Sequence, residues 1–229
     1  MNADAALPSS GDQLTRSAED YLKVVFLLSG DEPVATTQIA QHLNLAPASV
    51  SGMIRRLAEQ GLLEHEPYRG VELTAAGREI AVRMVRRHRI IETYLVAHLG
   101  YRWDDVHEEA ERLEHAVSDL LVERMAVALG HPESDPHGDP IPTSEGRLPD
   151  PAYTKIPDLE LGETATVGRV TTGDQERLRY IASYGLIPGA QVTLLDRQPF
   201  NGPLTVLVNQ HEKVLGYDLA ALLLCVKNS

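Results

Sequence analysis

The sequence predicts a mainly α-helical chain that ends in a small β domain. Three observations predict it. Apolar residues recur at helical spacing from about residue 17 to residue 130, interrupted by one hairpin pattern. From residue 158 the apolar pattern switches to period two, with turn residues between the runs. The stretch between, 131–157, is rich in Pro, Asp, Ser and Gly and reads as irregular.

The first helix is placed at 17–28, where Tyr21, Val24, Val25 and Leu28 share a face. The second, 37–43, follows Thr36 as N-cap. The third runs from about 47 to 60, because Pro47 suits an early helical position and Gly61 a stop. Leu62-Leu63-Glu64-His65 and Val71-Glu72-Leu73-Thr74 then read as two strands around a turn at Pro67-Tyr68-Arg69-Gly70. Three helices followed by a hairpin is the order of a winged helix-turn-helix. Thr74 caps a long helix that reaches about His98, with Ile80, Met84, Ile91 and Leu95 on its apolar stripe. Further helices are expected over about 103–116 and from Ser118 to Gly130. The β runs are Ala165-Thr166-Val167, Gln191-Val192-Thr193-Leu194-Leu195 and Leu204-Thr205-Val206-Leu207-Val208, which suggest a small all-β barrel. The expected domains are a disordered tail (1–14), a DNA-binding module (15–74), a helical segment (75–142), a linker (143–157) and the β domain (158–229).

Composition narrows the classes. There is no apolar run of 18 residues, so no transmembrane helix is expected. The first residues lack the basic start and apolar stretch of a secretory signal. The single cysteine, Cys225, excludes an internal disulfide framework and fits a reducing cytoplasm. The net charge of −12 taken alone argues against a nucleic-acid partner, but the charge is unevenly distributed. Arg55, Arg56, Arg69, Arg78, Arg83, Arg86, Arg87 and Arg89 crowd one segment. Asp104, Asp105, Glu108, Glu109, Glu111, Glu114, Asp119 and Glu123 crowd another. The first suits phosphate and the second suits cations.

The third helix opens Ala46-Pro47-Ala48-Ser49-Val50-Ser51. Small residues there let the backbone approach a groove, with Ala46 and Ala48 able to touch thymine methyls. Ser49, Ser51 and the helix N-terminus suit phosphates. Arg55 and Arg56 follow one turn on, Arg69 sits at the hairpin tip, and Thr36 and Thr37 open the second helix.

The metal chemistry lies in Val106-His107-Glu108-Glu109-Ala110-Glu111-Arg112-Leu113-Glu114-His115. On a helix, His107, Glu111, Glu114 and His115 fall within about 100° of each other, beside an apolar stripe. The long helix adds His88, which faces inward on its stripe, and Glu92 one turn on. Carboxylate oxygen and imidazole nitrogen suit manganese, iron and zinc. Bland readings stay open at this point. Glu111, Glu114 and His115 also fit a solvated face, and His88 fits a hydrogen-bonded core histidine. Ser17-Ala18-Glu19-Asp20 resembles a capping box with Asp in place of Glu, which by itself accounts for Asp20.

These segments together resemble the diphtheria toxin repressor and manganese transport regulator family. The matching pieces are Ser17-Ala18-Glu19-Asp20-Tyr21-Leu22, Val50-Ser51, Arg87-His88-Arg89 with Glu92, and the stretch from Val106 to His115. Pro136-His137-Gly138-Asp139-Pro140-Ile141-Pro142 and Tyr184-Gly185-Leu186-Ile187-Pro188-Gly189 match as well, the latter within an SH3-like (FeoA-like) domain. The resemblance implies a metal-dependent transcriptional repressor that controls metal homeostasis genes. It implies a homodimer on a palindromic duplex operator, a helical dimerisation domain and two ions per subunit. It places the primary ion on Asp20, Glu111, Glu114 and His115. The ancillary ion falls on His88, Glu92 and His107, with a further ligand near Asp174.

Two positions depart from the iron-type pattern. Asp20 stands where iron-type members carry methionine, and Glu111 where they carry cysteine. Hard oxygen in place of soft sulfur favours manganese(II), with iron(II) as the rival. Lys23 stands where the two-domain manganese type has a glutamate shared by two ions. No membrane or organic ligand is expected, and no enzymatic activity. The alternatives are a helical metal-binding protein and a di-metal enzyme, but the latter needs Glu-x-x-His pairs, and here His88 precedes Glu92.

Asp20→Met combined with Glu111→Cys is expected to shift preference toward iron(II). Anaerobic titration with each ion reads this; an unchanged ranking would show that the oxygen donors do not set selectivity.

Overall fold

In the computed structural model the first helix, α1, spans Arg16–Leu28. Residues 14–30, 32–66, 69–149 and 151–228 are described. The tail expected at 1–14 lies outside them except for Leu14, and so do Pro67 and Tyr68 of the expected turn. The chain divides into two units, one ending at Val85 and the other beginning at Arg86.

The cap of α1 is Thr15, whose hydroxyl accepts from the Ala18 amide at 3.3 Å. Leu14 packs on the core just before it, so the chain enters the helix earlier than expected. Ser17 therefore lies inside the first turn, and the capping box that accounts for Asp20 does not form. The second helix, α2, spans Thr36–His42 with Ala35 at its cap. Thr36 is inside the helix because the Gln38 side chain reaches back to the Ala35 amide at 2.9 Å and satisfies that donor instead. Helix α3, Pro47–Glu59, opens on Pro47 and stops before Gly61, whose φ of 71° favours glycine. Strands β1 (Leu63–Glu66) and β2 (Gly70–Leu73) pair antiparallel, and Val34 bridges to Val71 along the other edge of β2. This is a winged helix-turn-helix. Leu22, Ile39, Val50, Ile54, Leu57 and Val71 are fully buried in its core. Each contributes roughly 1.5–3 kcal/mol by leaving water.

Helix α4, Ala75–Leu99, follows. The Thr74 hydroxyl accepts from the Gly77 amide at 3.1 Å and donates to the Gly61 carbonyl at 2.8 Å. That hydroxyl ties the start of α4 to the end of α3. Helix α5 spans His107–Glu114 and α6 spans Asp119–Ala128, the latter capped by Ser118. Helix α5 begins later than the expected residue 103. Trp103 is drawn against the core of the C-terminal domain, and Asp104 binds Arg102 and Arg179. Both leave the helical path. Ile90, Val122, Ala126 and Ile141 form one small core here, and Ile91, Leu95, Val106 and Ala110 another.

The C-terminal sheet has six antiparallel strands in the order β3-β8-β4-β5-β6-β7. They are β3 (Thr154–Lys155), β4 (Thr164–Val170), β5 (Gln191–Arg197), β6 (Leu204–Val208), β7 (His211–Leu215) and β8 (Leu223–Lys227). Its first strand lies in the stretch expected as linker. The domain is not all-β: α7 (Gln175–Ser183) and α8 (Tyr217–Ala220) are inserted. Helix α7 buries Leu178 and Ile181, an i, i+3 pair that alternation does not reveal. Cys225 on β8 is fully buried, and burial pushes its thiol up to about 12. Among the described residues no helix is long and apolar enough to cross a membrane.

Gly77→Ala is the sharp test of this packing. In an open helix the change stabilises by about 1 kcal/mol. Here the added methyl would lie 2.0 Å from the Leu62 carbonyl oxygen, so the melting temperature is expected to fall by several degrees. An unchanged or raised melting temperature would show that α4 does not approach Leu62 as described.

Candidate metal centre and nucleic-acid interface

Helical spacing puts His88 and Glu92 one turn apart on α4, and both are buried. Helix α5 opens on His107 and brings it against them. His88 Nε2 lies 3.0 Å from Glu92 Oε1 and 3.1 Å from His107 Nδ1, and His107 Nδ1 lies 2.9 Å from the same Glu92 oxygen. Ligand atoms of an octahedral shell with bonds of about 2.1 Å stand about 3 Å apart. The expected ancillary trio therefore has the spacing of a coordination shell.

The proton arrangement agrees. His88 Nδ1 lies 2.5 Å from Glu114 Oε2. With an ion bound, a proton on that nitrogen would leave the Nε2 lone pair directed at the ion, between Glu92 and His107. Metal-binding histidines are commonly oriented this way, by a carboxylate on the opposite nitrogen. Glu114 is fully buried and also stands 3.5 Å from His115 Nε2. Glu111 Oε1 lies 3.7 Å from His107 Nε2 and 3.8 Å from His88 Nδ1. Helix α5 and its C-cap thus bring Glu111 and Glu114 close to His88, with His115 beside Glu114. Asp20 and Lys23 lie on α1 in the first unit, Asp20 half-buried and Lys23 buried.

Two further residues join. Asp135 and His137, in the loop after α6, are buried and form a cation-sized group with Glu92. His137 Nδ1 lies 3.8 Å from Glu92 Oε2, and its Nε2 stands 2.7 Å from the Trp103 carbonyl. With an ion bound, a proton kept on Nε2 would donate to that carbonyl and leave the Nδ1 lone pair for the ion. Sequence reasoning singles out this loop but gives it no metal role. The available signal is a His two residues after an Asp in a polar, Pro-bounded loop.

Glu92 serves both groups, one oxygen in each. Burial raises its pKa, but hydrogen bonds with His107, His137 and His88 outweigh burial and hold it well below the usual carboxylate range. Asp135 moves the other way, to about 7, through burial and the nearby charges of Asp139 and Glu92. His137 is lowered by burial and raised more strongly by Glu92 and Asp135, and ends above the usual imidazole value. Asp174 is exposed and caps α7, its Oδ1 accepting from the Arg177 amide at 2.8 Å, and among the described residues it is not part of a group close enough to share an ion.

In the DNA-binding module Ala46, Pro47, Ala48 and Ser49 are exposed at the start of α3, with Arg55 and Arg56 exposed one turn on. Thr37 is exposed and Thr36 half-buried. The exposed Ser51 hydroxyl donates to the Pro47 carbonyl at 3.0 Å. Arg69 pairs with Glu66 at 3.0 Å, both mostly exposed, which is worth little in water. Glu32, Glu64, Glu66 and Glu72 line the same concavity as Arg69. The hairpin is therefore a weaker phosphate reader than α3.

Comparison with known proteins gives the same three parts. Residues 13–71 match the iron-dependent repressor N-terminal DNA-binding domain, and 74–143 its metal-binding and dimerisation domain. Residues 154–227 match the FeoA domain. The iron-dependent repressor IdeR of Mycobacterium tuberculosis is 32% identical over 224 residues, 91% of this chain and 96% of its own. The diphtheria toxin repressor of Corynebacterium efficiens is 30% identical over 197 residues, 81% of this chain and 85% of its own. A solved manganese-dependent transcriptional repressor in complex with manganese is similar with a TM-score of 0.85 and 42% identity, covering 92% of this chain and 100% of that one. The manganese regulator SloR is similar with a TM-score of 0.75 and 32% identity, covering 92% and 98%.

Glu92→Gln keeps the shape of the shared carboxylate and removes its charge. Calorimetric titration is expected to show divalent-metal affinity lowered by tenfold or more, at least the scale on which the loss of an orienting partner of a ligand is felt. Full affinity in this variant would remove Glu92 from the centre.

Proposed function

Given that the chain belongs to the iron-dependent repressor family of metal-dependent transcriptional repressors, we propose that manganese(II) is the ion that activates it for operator binding, with iron(II) as the alternative. The observation that carries the choice is the donor set. His88, Glu92, His107, Glu111, Glu114, Asp135 and His137 offer only oxygen and nitrogen. Such donors suit manganese better than thiolate does. The 42% identical relative described as manganese-dependent supports the same ion, and the mycobacterial relative named iron-dependent supports the alternative.

Two ions bind per subunit in this reading. The primary position takes Asp20, Glu111, Glu114 and His115. The ancillary position takes His88, Glu92 and His107, with Asp135 and His137 drawing on the second oxygen of Glu92. A bound ion supplies positive charge that offsets the crowded carboxylates and a fixed shell that orders them. Asp20 sits on α1, which shares one core with the reading helix α3. Holding Asp20 therefore restrains α3. Glu111 and Glu114 supply the opposing carboxylates, and His88 keeps Glu114 oriented.

The chain acts as a homodimer. The matched dimerisation domain supports this, as do Leu120, Leu121 and Val127, which α6 leaves exposed. Two copies of α3 then meet a palindromic duplex operator with half-sites about one helical turn apart, or a multiple of it. Metal and DNA affinities are linked reciprocally, with a coupling of about 1–3 kcal/mol. The place of action is the cytoplasm, and neither membrane, organic ligand nor enzymatic turnover enters the reading.

Gel retardation of an operator fragment with manganese, iron, zinc or chelator tests it. Retention is expected with manganese and not with chelator, and Glu111→Ala or His115→Ala is expected to abolish the metal response in a folded dimer. Metal-independent retention at full strength by either variant would refute the primary position. Arg55→Ala is expected to weaken retention and lower the salt slope by about one while metal affinity holds.

A further inference from the structure

The loop that carries Asp135 and His137 is held by the FeoA domain. Asp135 Oδ1 accepts from the His137 and Asp139 amides at 2.8 and 2.9 Å, which fixes the shape of the loop. The His137 carbonyl then accepts from the Val170 amide on β4 at 2.9 Å. Gly138 crosses β4 so closely that an added methyl would lie 1.9 Å from the Gly168 carbonyl oxygen. Its φ of 85° also favours glycine. Asp139 links Arg89 on α4, at 3.4 Å, to Arg169 on β4.

A second contact lies beside the first. Buried Asp104 binds Arg179 of α7 at 3.0 Å and Arg102 at 3.0 Å. Its neighbour Trp103 packs against the FeoA core, stands 5.5 Å from the His137 ring, and offers its carbonyl to His137 Nε2. His137 is thus gripped at its carbonyl by β4 and at its ring by the segment that Arg179 anchors.

We infer that Arg179, Asp104 and Gly138 are positioning residues through which the FeoA domain sets manganese affinity at Glu92, Asp135 and His137, by holding His137. The inference rests on the reading that this centre holds metal. The FeoA domain then works as a clamp behind one ligand. Loosening the clamp frees the His137 ring to turn, and the centre loses a preorganised nitrogen. The loss of one orienting partner typically lowers metal affinity 10–100-fold.

The test uses the full chain carrying Arg179→Glu, which repels Asp104, and Arg179→Lys, which keeps the charge. The Arg179 side chain is half exposed, so both variants are expected to fold. Manganese affinity is read by titration against the electron paramagnetic resonance of the free ion. Docking is read by hydrogen exchange at the Val170 amide. Arg179→Glu is expected to lower affinity about tenfold and to speed exchange at Val170, with Arg179→Lys restoring most of both. Gly138→Ala, which wedges the same crossing from the loop side, is expected to reproduce the loss. Faster exchange with unchanged affinity overturns the inference, and so does lowered affinity with unchanged exchange, or no change in either. If the unaltered chain binds no manganese, the metal reading itself falls and this inference with it. Normal binding by the unaltered chain and by Arg179→Glu overturns this inference alone.

Discussion

Glu92 is the anion around which the second unit is arranged. Its carboxylate is 2% exposed, a position in which burial alone favours the neutral acid. Imidazoles from three separate elements counter that: His88 from α4, His107 from α5 and His137 from the loop after α6. Each is brought there by its own local physics. Helical spacing places His88, the late start of α5 places His107 at a helix N-terminus, and an Asp-capped turn places His137. A buried charge with this many polar neighbours is costly to assemble without a cation and favourable with one. The same carboxylate therefore specifies both the packing of these elements and the chemistry they can perform.

The DNA-binding module operates under an opposite constraint. The chain carries a net charge of −12, and the hairpin surrounds Arg69 with carboxylates. Net charge therefore opposes the non-specific attraction on which most duplex binding relies, and local arginines must supply it. What remains favourable is narrow: the exposed start of α3 with its small residues, then Arg55 and Arg56. An interface so limited in area depends on geometry, on two copies of α3 being presented at once. In the proposed reading, a regulator whose DNA affinity depends on aligning two such elements suits control by an ion that orders carboxylates.

Much of this is legible in the sequence where signals are local. Helical periodicity, Pro47 and Gly61 bound α3, and the i, i+3 and i+4 spacing of Glu111, Glu114 and His115 points to one face. The resemblance of Asp20, His88 and Glu92 to known positions fills in what spacing leaves open. What is not legible depends on distant partners. Thr15 displaces Ser17 as cap because Leu14 packs on the core. Helix α5 loses its first turn because Trp103 and Asp104 answer to residues some 75 positions later, Arg179 among them. Asp174 caps α7 through Oδ1, a use that the sequence pattern does not announce. Asp135 and His137 are visible as a motif but carry no periodicity. Their meaning appears only when the loop closes over Glu92.

The lone thiol has a further implication. Cys225 sits in a β core with its proton held to about 12, and the centre has an oxygen donor at Glu111 where iron-type relatives are expected to carry sulfur. Peroxide and electrophiles attack thiolate, and this chain presents almost none. In the proposed ligand set every donor is oxygen or nitrogen, so an oxidant that attacks thiolate finds none to attack at the metal centre.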